Sequence, residues 1–301
     1  MDVVTVLLST YNGEKYLPEL LESVYAQTDV EVHLLVRDDG STDQTIHLLQ
    51  REQEKGRLQW YGGDNLGPAR SFLALMDSAP QCEWYAFCDQ DDVWLPHKLS
   101  RALRRLREAD GAAPALYYGR PFLVDEKLSP LPPTSRALER METFASSLVA
   151  SNATGCTMVF NRRLIEAVNR RKPDYVFMHD DWVHKLCLME KGRLFFDENV
   201  PLLYRQHGGN LIGTPSSEWM KLRRHLQSLT RRDCVRSRTA ASLLQCCSDR
   251  MDPLDRRCAQ MAADYKDSLR AILRLAFSRC VRTGYRERDL LFVLAVLMKA
   301  Y

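Results

Sequence analysis

Apolar and polar positions along the chain fall into a repeating order. Val3 to Leu8 form a short apolar run ending at Ser9-Thr10-Tyr11-Asn12-Gly13, after which Leu17, Leu20, Leu21, Val24 and Tyr25 recur at helical spacing. The pattern predicts strand, polar loop and helix. It repeats with Val32 to Val36, the polar stretch Arg37-Asp38-Asp39-Gly40-Ser41-Thr42, and a helix from about Asp43 whose apolar face includes Ile46 and Leu49. A third strand, Leu58 to Tyr61, is followed by Gly62-Gly63-Asp64-Asn65-Leu66-Gly67 and a helix opened by Pro68, where the missing N–H costs little. A fourth, Trp84 to Cys88, runs into Asp89-Gln90-Asp91-Asp92.

Strands alternating with helices at this spacing predict βαβ units, an α/β fold and a mostly parallel sheet with right-handed crossovers. The loops that follow the strands then lie along one edge, where open α/β sheets bind ligands. Beyond Glu108 the regularity weakens. Strands are expected at Leu116 to Tyr118 and Cys156 to Phe160, a Pro-rich loop at Ser129 to Ser135, and a helix over Asp180 to Lys191. From Trp219 onward the pattern is helical, with Trp219, Leu222, Leu226 and Leu229 on one face and Leu269, Ile272, Leu273 and Ala276 on another.

The composition of the 301 residues, 45% hydrophobic and 27% charged, is that of a globular protein and excludes a disordered or fibrous chain. Charge, in contrast, is unevenly spread. Residues 215–301 hold 18 Lys/Arg against 9 Asp/Glu, and residues 1–214 hold 24 against 30. The asymmetry suggests two functional regions, an acidic one over 1–214 that could hold metal or sugar and a basic helical one over 215–301 that could face phosphate, lipid headgroups or nucleic acid, with a boundary near Pro215. Nine cysteines, odd in number and without metal-ligand spacing, together with the lack of a signal peptide, point to reduced thiols in a cytoplasmic protein. The Asn152-Ala153-Thr154 sequon is then not expected to carry glycan. Leu290 to Met298, the most apolar run, is far shorter than the roughly 20 residues of a membrane-spanning helix.

Four polar clusters can carry chemistry. Asp89, Asp91 and Asp92 crowd carboxylates at the end of a buried strand, a repulsion that a divalent cation or hydrogen-bond donors must offset. A bland alternative is a solvated acidic turn. In Asp38-Asp39-Gly40-Ser41-Thr42-Asp43, Gly40 is expected at positive φ and Asp43 or a neighbour as helix cap, while Asp39 can accept a hydrogen bond from a nucleobase imide. One Asp of His179-Asp180-Asp181-Trp182 serves as an N-cap or as a general base for an attacking hydroxyl. His207, in Tyr204-Arg205-Gln206-His207-Gly208-Gly209-Asn210, can ligate a metal or bond a phosphate. No GxGxxG, P-loop, GxSxG or HExxH pattern is present, which disfavours dehydrogenase, P-loop ATPase, serine hydrolase and zinc protease chemistry. Without aromatic interleaving in the basic tail, nucleic-acid binding is not expected.

Taken in order, Val4-Thr5-Val6-Leu7-Leu8-Ser9-Thr10-Tyr11-Asn12, Arg37 to Asp43, Asn65-Leu66-Gly67, Cys88-Asp89-Gln90-Asp91-Asp92-Val93-Trp94-Leu95-Pro96, His179 to Trp182 and Tyr204 to His207 resemble the family 2 glycosyltransferases with a GT-A fold. The resemblance spans about residues 2–213. Within that family, DQDDVWLP and YRQHGGN resemble the rhamnosyltransferase branch of bacterial surface polysaccharide synthesis. It implies inverting transfer of a sugar from a nucleoside diphosphate donor to an acceptor hydroxyl, with Mn²⁺ or Mg²⁺. Thr10, Tyr11 and Glu14 would line the nucleoside, Asp39 would contact the base, Asp89 the ribose, and Arg70 would join the donor site. Asp91 and His207 would hold the metal, and Asp180 would be the catalytic base. His179 stands where the family more often has Glu, and Asp181 where this branch often has Trp, which leaves Asp181 as the rival base.

The basic tail has two readings: a helical cap on the catalytic region or on a second subunit, or a peripheral contact with an anionic membrane carrying a lipid-linked or glycan acceptor. Two other function classes fit parts of the pattern. A sugar-phosphate nucleotidyltransferase would carry a basic Gly-rich loop after the first strand, and Ser9 to Gly13 holds no Lys or Arg. A non-catalytic sugar-nucleotide or glycan-binding module would keep the crevice without a working base.

Overall fold

The computed structural model describes residues 1–132, 140–151, 153–208 and 233–301. Asn152, Gly209-Asn210, the boundary near Pro215, the apolar face expected over 219–229 and part of the Pro-rich loop fall outside them. The first half follows the strand–helix order: β1 (Asp2–Thr10), α1 (Leu17–Tyr25), β2 (Val30–Asp38), α2 (Thr45–Glu54), β3 (Gln59–Gly62), α3 (Pro68–Ser78) and β4 (Trp84–Asp89). As expected, Pro68 occupies the first turn of α3, behind Gly67 at φ 74°.

Then come β5 (Val93–Trp94), α4 (Lys98–Leu106), β6 (Ala115–Gly119), β7 (Phe122–Val124), α5 (Phe144–Val149), β8 (Val159–Asn161), α6 (Arg162–Asn169), α7 (His179–Met189), β9 (Arg193–Asp197) and β10 (Leu202–Arg205). Four further helices follow: α8 (Val235–Cys247), α9 (Pro253–Ala263), α10 (Leu269–Ala276) and α11 (Arg286–Leu297).

Seven strands form one sheet in the order β3-β2-β1-β4-β8-β6-β9, and β5, β10 and β7 form a small second sheet. The central sheet is mainly parallel, with β8 antiparallel to both β4 and β6. The strand expected over Cys156 to Phe160 is shorter and later. Gly155–Thr157 form a 3-10 turn, tightened by the Thr157 hydroxyl donating to Thr154 O at 2.6 Å, and only Val159–Asn161 pair with the sheet.

Side chains alternate across the strands and build a core on each face. Val4, Val6 and Leu8 join Leu17, Leu20 and Leu103 on one side, while Leu7, Phe87 and Phe160 join Phe72, Leu164 and Trp182 on the other. The second core extends without a break into the C-terminal helices through Leu243, Tyr265, Ile272, Phe292 and Tyr301. Tyr301 donates its hydroxyl to Leu148 O of α5 at 2.9 Å, and the Arg236 guanidinium donates to Val149 O. This is the packing expected of a helical cap. The face expected on α10 is rotated: Ile272, Leu275 and Ala276 are buried, whereas Leu269 and Leu273 point outward, 72% and 43% exposed. Among the described residues, no helix is long and apolar enough to cross a membrane.

Candidate active site

Register along the parallel strands fixes the site. Thr10 lies opposite Asp38, Ser9 opposite Asp89 and Asp38 opposite Gly62, so four strand-end loops open at the same edge of the sheet. Asp38 is spent on building that edge. Its carboxylate accepts from the Gly40 and Ser41 amides, at 3.1 and 2.8 Å, and from the Thr10 and Ser41 hydroxyls, at 3.0 and 2.6 Å. Gly40 sits at φ 87°, the conformation expected of it.

Asp39 is also buried. It pairs with Arg37 and accepts from the Leu66 and Gly67 amides at 3.0 and 2.8 Å, which draws the Asn65-Leu66-Gly67 loop against the second strand end. A carboxylate has about four acceptor positions, so roughly one remains for a ligand. Glu14 accepts from Gln44 N at 2.9 Å, and Asp43 accepts from Thr45 N at 3.0 Å; together they supply the side-chain bonds at the start of α2. Arg70 is exposed at the rim and donates to Asp174 O at 2.6 Å, ahead of α7. Tyr11 is 47% exposed, and its backbone exchanges two bonds with the Gln90 side-chain amide, at 2.9 and 3.0 Å. Gly13 leaves room for that side chain, since a Cβ there would stand 2.4 Å from Gln90 Oε1 and displace it. Gln90 therefore ties the loop after β1 to the acidic loop, a role that its place inside DQDD hints at without revealing.

The acidic loop crowds three carboxyls together. Burial, together with the neighbouring Asp91 and Asp180 carboxylates, pushes the Asp89 carboxyl up to about 7. Asp92 is pushed well above the usual carboxylate range by burial and by Asp89 and Asp91, and accepts from Arg205 N at 3.2 Å. Behind the loop Lys98 is wholly buried, its ammonium 3.4 Å from the Trp94 ring centre, and burial draws it down to about 8. At the open side His207 Nε2 lies 2.8 Å from Asp91 Oδ2. The Asp91 and His207 named from sequence thus meet in space, though Asp91 follows β4 of the central sheet and His207 follows β10 of the small one. Arg205 brings His207 there: its guanidinium pairs with Glu19 of α1 and donates to Asp91 O at 2.9 Å and to Glu126 O at 2.6 Å.

A second set of ligand-type atoms, from Asp89, Asp92 and Cys156, lies within 4.8 Å of one another. Burial raises the Cys156 thiol well above its ordinary range, so it stays protonated and suits a hard cation poorly. Carboxylates with an imidazole at the open mouth, as Asp91 and His207 provide, fit Mn²⁺ or Mg²⁺ better.

Asp180 reaches the same crevice from the first turn of α7, where the helix N-terminus favours an anion. It accepts from Gly155 N at 3.1 Å and from Asp181 N at 2.6 Å. Burial, with a smaller push from Asp181, carries it up to about 7. Asp181 differs. Burial opposes its charge too, but the Lys185 ammonium paired with it holds it below the usual range. His179 turns inward and stacks on Phe72 at 3.9 Å, and burial pulls it down to about 3, leaving it neutral. Gly155 makes room for this turn, since a Cβ would lie 2.6 Å from His179 Nε2 and 3.4 Å from Asp180 Cβ.

Comparison with known proteins bears on this arrangement. The family model described as glycosyl transferase family 2 matches residues 5–168. The dTDP-rhamnosyl transferase RfbG of Shigella flexneri is 26% identical over 239 residues, covering 72% of this chain and 77% of that protein. Residues 1–349 of S. aureus TarS, solved with UDP-GlcNAc, superpose with a TM-score of 0.57 at 16% identity, covering 99% and 90% of the two chains. A Pyrobaculum calidifontis mannosyltransferase bound to GDP-Man and Mn²⁺ gives a TM-score of 0.53 at 18% identity, covering 99% and 87%. At such identities the two structures speak for the fold, which is the GT-A arrangement expected of the sequence.

Proposed function

Since the chain belongs to glycosyl transferase family 2, we propose that it moves a sugar from a nucleoside diphosphate donor, dTDP-rhamnose or a UDP-sugar, to an acceptor hydroxyl of a bacterial surface polysaccharide or cell-wall glycan. The transfer inverts the anomeric carbon. One observation carries the reading: the Asp180 carboxylate accepts from Gly155 N at 3.1 Å while the thiol of the next residue, Cys156, lies within 4.8 Å of the Asp89 and Asp92 carboxylates, so the first turn of α7 and the acidic loop after β4 share one crevice. Rhamnose as the sugar rests on the likeness to RfbG.

In this reading Tyr11, held by Gln90, and Asp39, held by the Leu66 and Gly67 amides, frame the nucleoside. Thr10 supports that wall through Asp38 rather than by direct reach. Asp89 faces the ribose. Asp91 and His207 are the residues that would hold Mn²⁺ or Mg²⁺, which when bound offsets the charge of the departing diphosphate as a Lewis acid. Asp180 takes the proton of the attacking hydroxyl. Its carboxyl at about 7 is poised for that transfer, whereas Asp181 is committed to Lys185.

Thermal unfolding with UDP, dTDP, GDP and CDP and their sugars, each with Mn²⁺, Mg²⁺ or EDTA, tests the reading. A metal-dependent rise with dTDP or UDP ligands supports it. No rise with any nucleotide removes the donor site and leaves a glycan-binding module.

A further inference from the structure

We infer that the cleft between α9 and α10 binds the phosphate headgroups of an anionic lipid bilayer while the outward leucines of α10 and α11 enter its interface. The cleft is a cavity of about 800 Å³ on the C-terminal helices, lined by Arg256, Arg257, Arg270 and Arg274 over a floor that includes Met251 and Met261. Asp264 is the acidic residue among the lining, and it already accepts from the Gln260 amide. All four arginines are exposed. Among the described residues no carboxylate pairs with Arg257, Arg270 or Arg274, so their charge faces the cleft and solvent.

Sequence spacing on α10 repeats an arginine beside a leucine once per turn: Leu269-Arg270 and Leu273-Arg274. Ile272 and Leu275 face the core, which leaves those leucines outside. Phe277, just past α10, is 67% exposed, and Leu290 and Leu294 on the neighbouring α11 are 61% and 39% exposed. Exposed apolar side chains alone do not name a partner. Four arginines in the adjoining cleft, two of them next to Leu269 and Leu273 on α10, do, because guanidinium groups bind phosphate oxygens bidentately, and a surface offering both acyl chains and phosphates satisfies both halves of the pattern. Attachment would be peripheral, since no described helix can span.

The test is flotation of the full chain with vesicles of phosphatidylcholine alone or with about 30% phosphatidylglycerol, at low and high salt. Wild type should float only with the anionic vesicles and be released by salt. The triple variant R257Q/R270Q/R274Q should lose on the order of a hundredfold in partitioning, about fivefold per arginine. L269S/L273S, which keeps every charge, should lose about tenfold or more. Unchanged circular dichroism and unfolding midpoint serve as the fold control, so failure of the glycosyltransferase reading leaves this test standing. Equal flotation with neutral vesicles, or undiminished flotation of the triple variant, overturns the proposal. It is equally overturned if inorganic phosphate stabilises wild type but not the triple variant while neither floats, which would make the cleft a site for a soluble anion.

Discussion

Asp180 and Asp89 take up protons in the folded chain at pH values where a free carboxyl has already lost them. For a raised carboxyl the sign is fixed: the stability it contributes is full below about pH 4 and is lost as pH climbs through about 7. A cation bound at the acidic loop relieves that cost most where the carboxyls are charged, and must displace protons where they are not. Mn²⁺ should therefore raise the unfolding temperature more at about pH 8 than at about pH 6. Equal shifts at the two pH values would remove these carboxyls from the metal's surroundings. Asp180→Asn keeps the shape and the bond to Gly155 N but has no basic oxygen pair. It should bind nucleotide as wild type does and lose transfer by on the order of 10² to 10⁴. Unchanged turnover would take Asp180 out of the role.

At the scale of elements, Gly155 and α7 have to fit together. A methyl group at 155 meets the His179 ring, which is wedged between Phe72 and Phe87 and has nowhere to go. Gly155→Ala should push the first turn of α7 away from the acidic loop and lower transfer at least tenfold, with nucleotide binding little changed; a crystal structure or hydrogen exchange over 153–158 and 178–184 would report the shift. The parallel strands are legible because both faces of β1 and β4 are covered, which makes them nearly continuous apolar runs, because β2 carries Leu34-Leu35-Val36 in its buried half, and because each run ends in a polar loop. The acidic clusters were legible for the same reason. Two- to four-residue strands such as β5, β7 and β10 are too short to show a period, and β8 was misjudged because a 3-10 turn consumes part of its apolar stretch. The parts played by Gln90, Arg205 and Lys98 were hidden, since each depends on partners far away in the chain or on burial that an ionised side chain does not advertise.

Across the whole molecule, one core reaches from the sheet through α5 to the last helix. Removing the Tyr301 side chain leaves a cavity against Tyr265 and Phe292 and deprives Leu148 O of its donor. Tyr301→Ala should cost about 3 to 5 kcal/mol, and tryptophan fluorescence and far-ultraviolet circular dichroism should still follow a single transition in denaturant. Two separated transitions would show the C-terminal helices to be an independent unit. The same stitch has a consequence for biosynthesis. Leu148 and Tyr301 lie 153 residues apart, so a ribosome making about 5 to 20 residues per second holds the half-built core open for on the order of ten seconds. Over that interval Phe144, Leu148 and Val149 of α5 lack the C-terminal helices that pack on them, and a nascent chain stalled or cleaved before α11 presents them to chaperones and proteases instead of to Tyr301.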